Sequence, residues 1–293
     1  MKPTLNNILF KLNSHIRDLN IEFFEIGHKY IIKCDQDSKY TSVTTWNHSH
    51  FPHFDADAVI RNMMKGKTWK EGHKYWGLTA DQIKKQWSNN GTSVSGAGTD
   101  LHFEIECFMN EKRFTFDYYY SNKDLYEIYL NDNKEKHENK PLEWQYFINF
   151  VKDMSHLKPY RTEWTIYDEE LKLAGSIDMV YENQDGTLSI YDWKRCKDIT
   201  RINKFNKFAL SQPICHFPDS NFWHYALQLN TYKAILEKNY NKKVTDLYLV
   251  RLHPDAEEKN YELIKLPDLS VEIEELFEER RKNLIEKALK NNT

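Results

Sequence analysis

Two carboxylates and one amine fall on facing arms of a predicted hairpin. The segment 175–194 carries Asp178 on its first arm and Asp192 and Lys194 on its second. Residues 171–182 and 187–194 alternate or run apolar as strands do. Between them Gln184-Asp185-Gly186 supplies turn chemistry, with Gly where a positive φ is favoured. A three-residue loop pairs Asn183 with Thr187 and sets Asp178 opposite Asp192, with Cβ atoms roughly 4.5–5.5 Å apart. A two-residue loop of Asp185-Gly186 would instead shift the register by one and send the two carboxylates to opposite faces. Facing like charges destabilise a sheet unless a cation lies between them or one is protonated. A hard divalent ion with oxygen ligands is the simplest resolution. Lys194 shares the face of Asp192, because strand side chains repeat with period two.

Two further pairs stand at helical i, i+4 spacing. His102 and Glu106 lie in Gly98-Thr-Asp-Leu-His-Phe-Glu-Ile-Glu106, where Leu101, Ile105 and Phe108 mark a helix. Gln228 and Tyr232 have the same spacing in Tyr225-Ala-Leu-Gln-Leu-Asn-Thr-Tyr232. Glu163, on the strand before Asp178, is a further candidate, although a Glu there is more often an edge carboxylate.

The four motifs and their order resemble the RecB-type exonuclease branch of the PD-(D/E)XK nuclease superfamily. That branch has a Gly-Thr-x-x-His-x-x-(Leu/Ile)-Glu helix, a Gly-x-x-Asp strand, an Asp-x-Lys strand and a Gln-x-x-x-Tyr helix. Here they stand at Gly98–Glu106, Gly175–Asp178, Asp192–Lys194 and Gln228–Tyr232. The resemblance spans about residues 92–252. It implies a restriction-endonuclease-like α/β core in α-β-β-β-α-β order, with a mixed sheet flanked by helices. It also implies phosphodiester hydrolysis with one or two Mg²⁺ or Mn²⁺ ions. The expected metal ligands are His102, Asp178, Asp192 and the Trp193 carbonyl. Asp178, Asp192, Lys194 and Glu106 form the expected catalytic set, with Lys194 orienting or helping to deprotonate water and Glu106 supporting or replacing a ligand. Gln228 and Tyr232 would position Lys194 or the substrate strand. The expected substrate is DNA with a free end or a single strand, in replication, recombination or repair. Alternatives are an endonuclease, a flap- or RNA-acting enzyme, or a non-catalytic subunit that binds nucleic-acid ends. No helicase motif is present, so unwinding would fall to a separate partner.

Charge and composition fit these expectations. The net charge of −3 is unpromising for a nucleic-acid enzyme, but distribution matters more than the total. Lys194, Arg195, Lys197, Arg201, Lys204 and Lys207 face only Asp198 over one short stretch, with Phe205 and Phe208 interleaved. Lys197, Arg201 and Lys204 are therefore candidate substrate contacts: cations for phosphates, rings for unpaired bases. With 40% hydrophobic and 29% charged residues the chain is not a disordered one. No apolar run approaches membrane-spanning length, and no signal-peptide pattern opens the sequence. The cysteines Cys34, Cys107, Cys196 and Cys215 lack C-x-x-C spacing, and none follows the Gln-x-x-x-Tyr helix. Neither an iron–sulfur cluster nor disulfides are expected. A reducing intracellular compartment, cytoplasm or nucleus, is the expectation. The amphipathic, acid-poor start leaves the mitochondrial matrix as a minority alternative, and the abundance of Asn, Lys, Tyr and Phe suggests an AT-rich genome, a viral one included.

The elements that must hold these residues follow from periodicity. Residues 1–91 form an N-terminal region: helix 4–19, strands 21–34 and 39–45, helices 55–65 and 79–88. Residues 92–293 form the core: helices 94–110 and 143–156, strands 160–168, 171–182 and 187–194, helix 222–239, strand 243–252, strand 260–266 and helix 270–290. Insertions are expected at 111–141 and 195–221, both bordering the substrate channel.

Overall fold

The computed structural model describes residues 5–111, 131 and 140–291. The expected insertion at 111–141 therefore lies almost wholly outside the described residues. A mixed sheet forms the frame, with β3 (Thr41–Ser42), β5 (Leu173–Glu182), β6 (Leu188–Lys194), β7 (Val244–Arg251) and β8 (Glu262–Lys265) in that order. β4 (Lys158–Asp168) pairs with β5. β4–β5, β5–β6 and β7–β8 are antiparallel, whereas β3–β5 and β6–β7 are parallel.

Helices cover both faces of this sheet, as its apolar residues require. On one face, the end of α4 (Ala80–Met109) and α5 (Leu142–Asp153) bury Leu101, Ile105, Phe108, Phe147 and Phe150 against Met179, Tyr181, Tyr191 and Trp193. On the other, α6 (Asn221–Asn239) and α7 (Ser270–Asn291) cover Ile177, Val180, Ile190 and Leu249. Among the described residues no helix is long and apolar enough to cross a membrane.

Near the N-terminus the elements are shorter than the periodicity predicts. The expected helix 4–19 is a short α1 (Ile8–Leu12) followed by a 3-10 turn at Ile16–Asn20. The expected strand 21–34 is a hairpin of β1 (Ile21–Phe24) and β2 (Lys29–Ile32), reversed at Gly27 with φ 82°. The expected strand 39–45 stops after Ser42, whose hydroxyl accepts the Thr45 amide and starts α2 (Val43–His48). This is the N-cap geometry that Ser favours. α3 (Ala56–Lys65) lies where expected. The two helices expected at 79–88 and 94–110 are one helix, α4, which runs unbroken through the assumed boundary at residue 91. Thr79 and Gln82 open it with a reciprocal capping box.

Candidate active site

The site lies where β5 and β6 part. Asn183 and Thr187 close a three-residue loop, with the Asn183 amide donating to the Thr187 carbonyl at 2.8 Å and Gly186 at φ 79°. The ladder then runs from Glu182–Leu188 to Met179–Tyr191 and stops. One step further, where Asp178 faces Asp192, no pair forms, and the Trp193 amide donates to Asp178 Oδ2 at 3.0 Å instead. Beyond this point β6 keeps only its parallel partner β7, from Asp192–Leu249 to Lys194–Arg251. Strict alternation also fails here: Ile177 and Val180 both face the α6 side, while Met179 faces α5. Across from Asp178 on β4, Glu163 has φ 42°, a strained value for a non-glycine residue.

Glu163 is the residue that sequence reasoning undervalued. Its carboxylate, His102 and Asp178 each present a ligand atom within 4.8 Å of the others. Position on an edge strand gave no hint, because only the β4–β5 register places Glu163 beside Asp178. Ser176 Oγ donates to Glu163 Oε2 at 2.9 Å. Burial, then the neighbouring Asp178, pushes the Glu163 carboxyl well above its usual range.

His102 reaches the site from α4, with Nδ1 3.5 Å from Asp178 Oδ2 and Nε2 2.9 Å from the Trp193 carbonyl. Two of the four expected metal ligands thus hydrogen-bond each other, and a cation taking both would replace that bond. Glu106, one turn on, is raised to about 6 by burial. Asp192 lies outside the 4.8 Å group. Its Oδ2 is 2.5 Å from Lys194 Nζ, a close ion pair between two largely buried groups. Burial, then Asp178, lifts Asp192 to about 6, with Lys194 opposing. Burial disfavours the Lys194 charge, yet Asp192 and Asp178 outweigh it and hold the amine well above its ordinary range. Between Asp192 and Lys194 the Trp193 ring points to the opposite face, edge-on to Phe147 and Phe150.

α6 braces the site from the other side. Gly175 faces the Tyr232 ring so closely that a Cβ would sit 2.6 Å from Cε1, so only glycine lets this helix approach β5. Gln228 Nε2 donates to the Tyr232 hydroxyl at 3.2 Å. Lys194 Nζ lies 4.4 Å over the Tyr225 ring, an unforeseen contact. Its signal was present, since Tyr225, Gln228 and Tyr232 stand at i, i+3, i+7 on one helix face.

The basic segment follows β6 directly. Lys197 is exposed, and its carbonyl accepts from Arg251 Nη1. Arg201 lies 4.0 Å over the Phe222 ring, and Lys204 is exposed. Phe205 and Phe208 are 84% and 41% exposed, so neither belongs to the core.

This donor set fits a divalent cation. Three oxygen or nitrogen donors converge, and three neighbouring carboxyls are held above their normal range. A mixed sheet, a forked Asp/Asp-x-Lys hairpin and flanking helices define a nuclease-type core. The family model of the PD-(D/E)XK nuclease superfamily matches residues 118–292, and the chain belongs to that superfamily. The matched span includes Asp178, Asp192, Lys194, Gln228 and Tyr232, while His102 and Glu106 precede it. Nucleases of this superfamily generally use divalent metal ions. No curated protein matches the sequence. Among solved structures, the chain is similar to a "Putative exonuclease" from Eubacterium rectale, with 13% identity, a TM-score of 0.38, and coverage of 84% of this chain and 79% of that one.

Proposed function

We propose that the chain is a metal-dependent deoxyribonuclease of the RecB-type branch that digests DNA from a free end, on single strands above all. The observation that carries this reading is the fork itself: Asp178, Asp192 and Lys194 are gathered where the ladder opens, at a cost in sheet pairing that a structural hairpin does not require. Asp178, His102 and Glu163 would hold Mg²⁺ or Mn²⁺, with Asp192 and the Trp193 carbonyl completing the set and Glu106 behind them. A bound divalent ion would supply charge neutralisation at the scissile phosphate and acidify water.

The protein's own groups do the rest. Because Asp192 and Asp178 hold Lys194 as an ammonium ion, it serves as a fixed positive charge and hydrogen-bond donor that orients water and offsets charge on the phosphate oxygens. A base would need a value near the working pH, so water deprotonation falls to a carboxylate. Glu106, raised to about 6 by burial, suits that task. Tyr225 beneath the ammonium and Tyr232 against Gly175 fix Lys194 and the strand end in place. Lys197, Arg201 and Lys204 would contact phosphates, with Phe205 and Phe208 available for stacking. A role in repair or recombination, an intracellular setting and a separate unwinding partner belong to the same proposal.

The experiment compares end-labelled linear single-stranded DNA with a covalently closed circle of the same sequence, in Mn²⁺. Loss of the linear strand with survival of the circle supports end-directed digestion. Efficient linearisation of the circle replaces it with an endonuclease.

A further inference from the structure

α4 is anchored at its two ends and free between them. Beyond residue 100 it buries Leu101, Ile105 and Phe108 and presents His102 to the site. Residues 88–96 are all exposed, and the stretch from Ser88 to Thr99 is made of Ser, Thr, Asn, Gly, Val and Ala. Apart from Ala97, these are weak helix formers that gain little on their own. At the far end Ile83 is buried, as is Ile60 of α3, and α3 packs on α4. Over residues 61–87 this small lobe carries seven basic side chains and two acidic ones, in a chain whose total is −3.

The lobe combines free cations with accessible rings. Asp57 engages Lys84, but among the described residues no carboxylate pairs with Lys65, Lys67, Lys70 or Lys85. Trp69 lies 5.0 Å from His73 and 5.8 Å from Trp76, which is 48% exposed. The Trp87 indole donates to the Tyr75 hydroxyl at 2.9 Å, fixing a second ring pair. Over 56–87 only Ile60 and Ile83 are fully buried, while Trp69, Tyr75 and Trp87 are half-buried and Trp76 is exposed, so ring surface remains accessible on the lobe.

We propose that this lobe is a second nucleic-acid grip, specific for single strands. Phosphates complement its excess positive charge. Unpaired bases offer the faces that its rings can stack on, which a duplex keeps closed. The helix from Trp87 to His102 spans about 22 Å at 1.5 Å per residue, so a strand must be long to occupy lobe and site together. The grip serves the strand-end reading above, but it is tested by binding alone.

Two variants of the full chain separate the contributions: Lys65→Ala/Lys67→Ala/Lys70→Ala and Trp69→Ala/Trp76→Ala. Binding is measured by fluorescence anisotropy with oligothymidylate of about 30 nucleotides, a blunt duplex of equal length, and oligothymidylate of about 4 nucleotides as a cleavage substrate. The aromatic variant should bind the long single strand about five- to 150-fold more weakly. The lysine variant should flatten the log–log salt dependence by about 2, near 0.7 for each lost phosphate contact. Duplex binding should change far less, and cleavage of the short strand should match the parent, which also shows that the variants fold. Unchanged long-strand binding in both variants would overturn the proposal, and an equal loss on duplex would overturn its single-strand specificity. If the parent protein cuts neither strand but the variants still lose long-strand binding, the grip stands and the nuclease reading of the central site fails.

Discussion

The two ends of the β5–β6 hairpin obey different rules. At the turn, every position from Glu182–Leu188 to Met179–Tyr191 is paired, Asn183 bonds Thr187, Thr245 and Ser189, and the rings of Tyr181 and Tyr191 meet edge-on at 4.9 Å. At the mouth the ladder is absent, Asp178 takes a backbone amide, and Asp192, Glu163 and Glu106 are held above their ordinary protonation range. One end stabilises the fold, while the other concentrates charge that the fold alone does not need. The contrast teaches where function was built, because buried like charges persist only where something else compensates them.

The largest effect should come from the mouth. Asp192→Asn should reduce cleavage by more than about a hundredfold, since even groups that merely support a metal ligand contribute 10–100-fold. The thermal midpoint should hold or rise as the carboxylate repulsion is removed. A drop in both activity and midpoint would show that the mouth is structural like the turn.

Gly175→Ala comes next. The new methyl group meets Tyr232, so the variant should lose about 1–3 kcal/mol in denaturant unfolding, the usual range for overpacking. Adding Tyr232→Leu should restore part of that loss, and additive losses would contradict the proposed contact.

A smaller effect concerns pH. Asp192 and Glu106 sit at about 6 in the folded chain and near 4 when unfolded, so folding retains protons that the unfolded chain releases. Stability should therefore fall as pH rises from about 4 to about 6. Glu106→Gln should remove part of that slope and raise the midpoint at neutral pH by on the order of 2 °C. Apparent metal affinity should drop below pH 6 in the parent, and a flat profile would refute the protonation assignment. Asn183→Ala, at the turn, should cost about 1 kcal/mol and leave cleavage unchanged.

The hairpin was legible because a turn with Gly186 and period-two strands fix register locally. His102 with Glu106 and Gln228 with Tyr232 were legible as helical pairs. Glu163 was weighed too low, because its place depends on pairing between β4 and β5 at a distorted position that no local pattern announces. The break expected between residues 88 and 94 falls on Gly91 among Asn, Thr and Ser, yet the capping box at Thr79 and the anchored ends carry one helix, α4, through it. Phe205 and Phe208 could not be assigned from sequence, since an aromatic in a basic loop looks the same buried or exposed. α2 began at Ser42 through a cap that β-branched neighbours disguised as a strand.

The central claim is that the fork holds a cation through Asp178 and uses Lys194 for chemistry. Calorimetric titration of Mn²⁺ into the parent protein, Asp178→Asn and Lys194→Ala, with cleavage of linear single-stranded DNA followed in parallel, tests both halves at once. The account predicts binding and cleavage in the parent, neither in Asp178→Asn, and binding without cleavage in Lys194→Ala. Cleavage that persists in Asp178→Asn, or equal loss of Mn²⁺ affinity in the two variants, would contradict it.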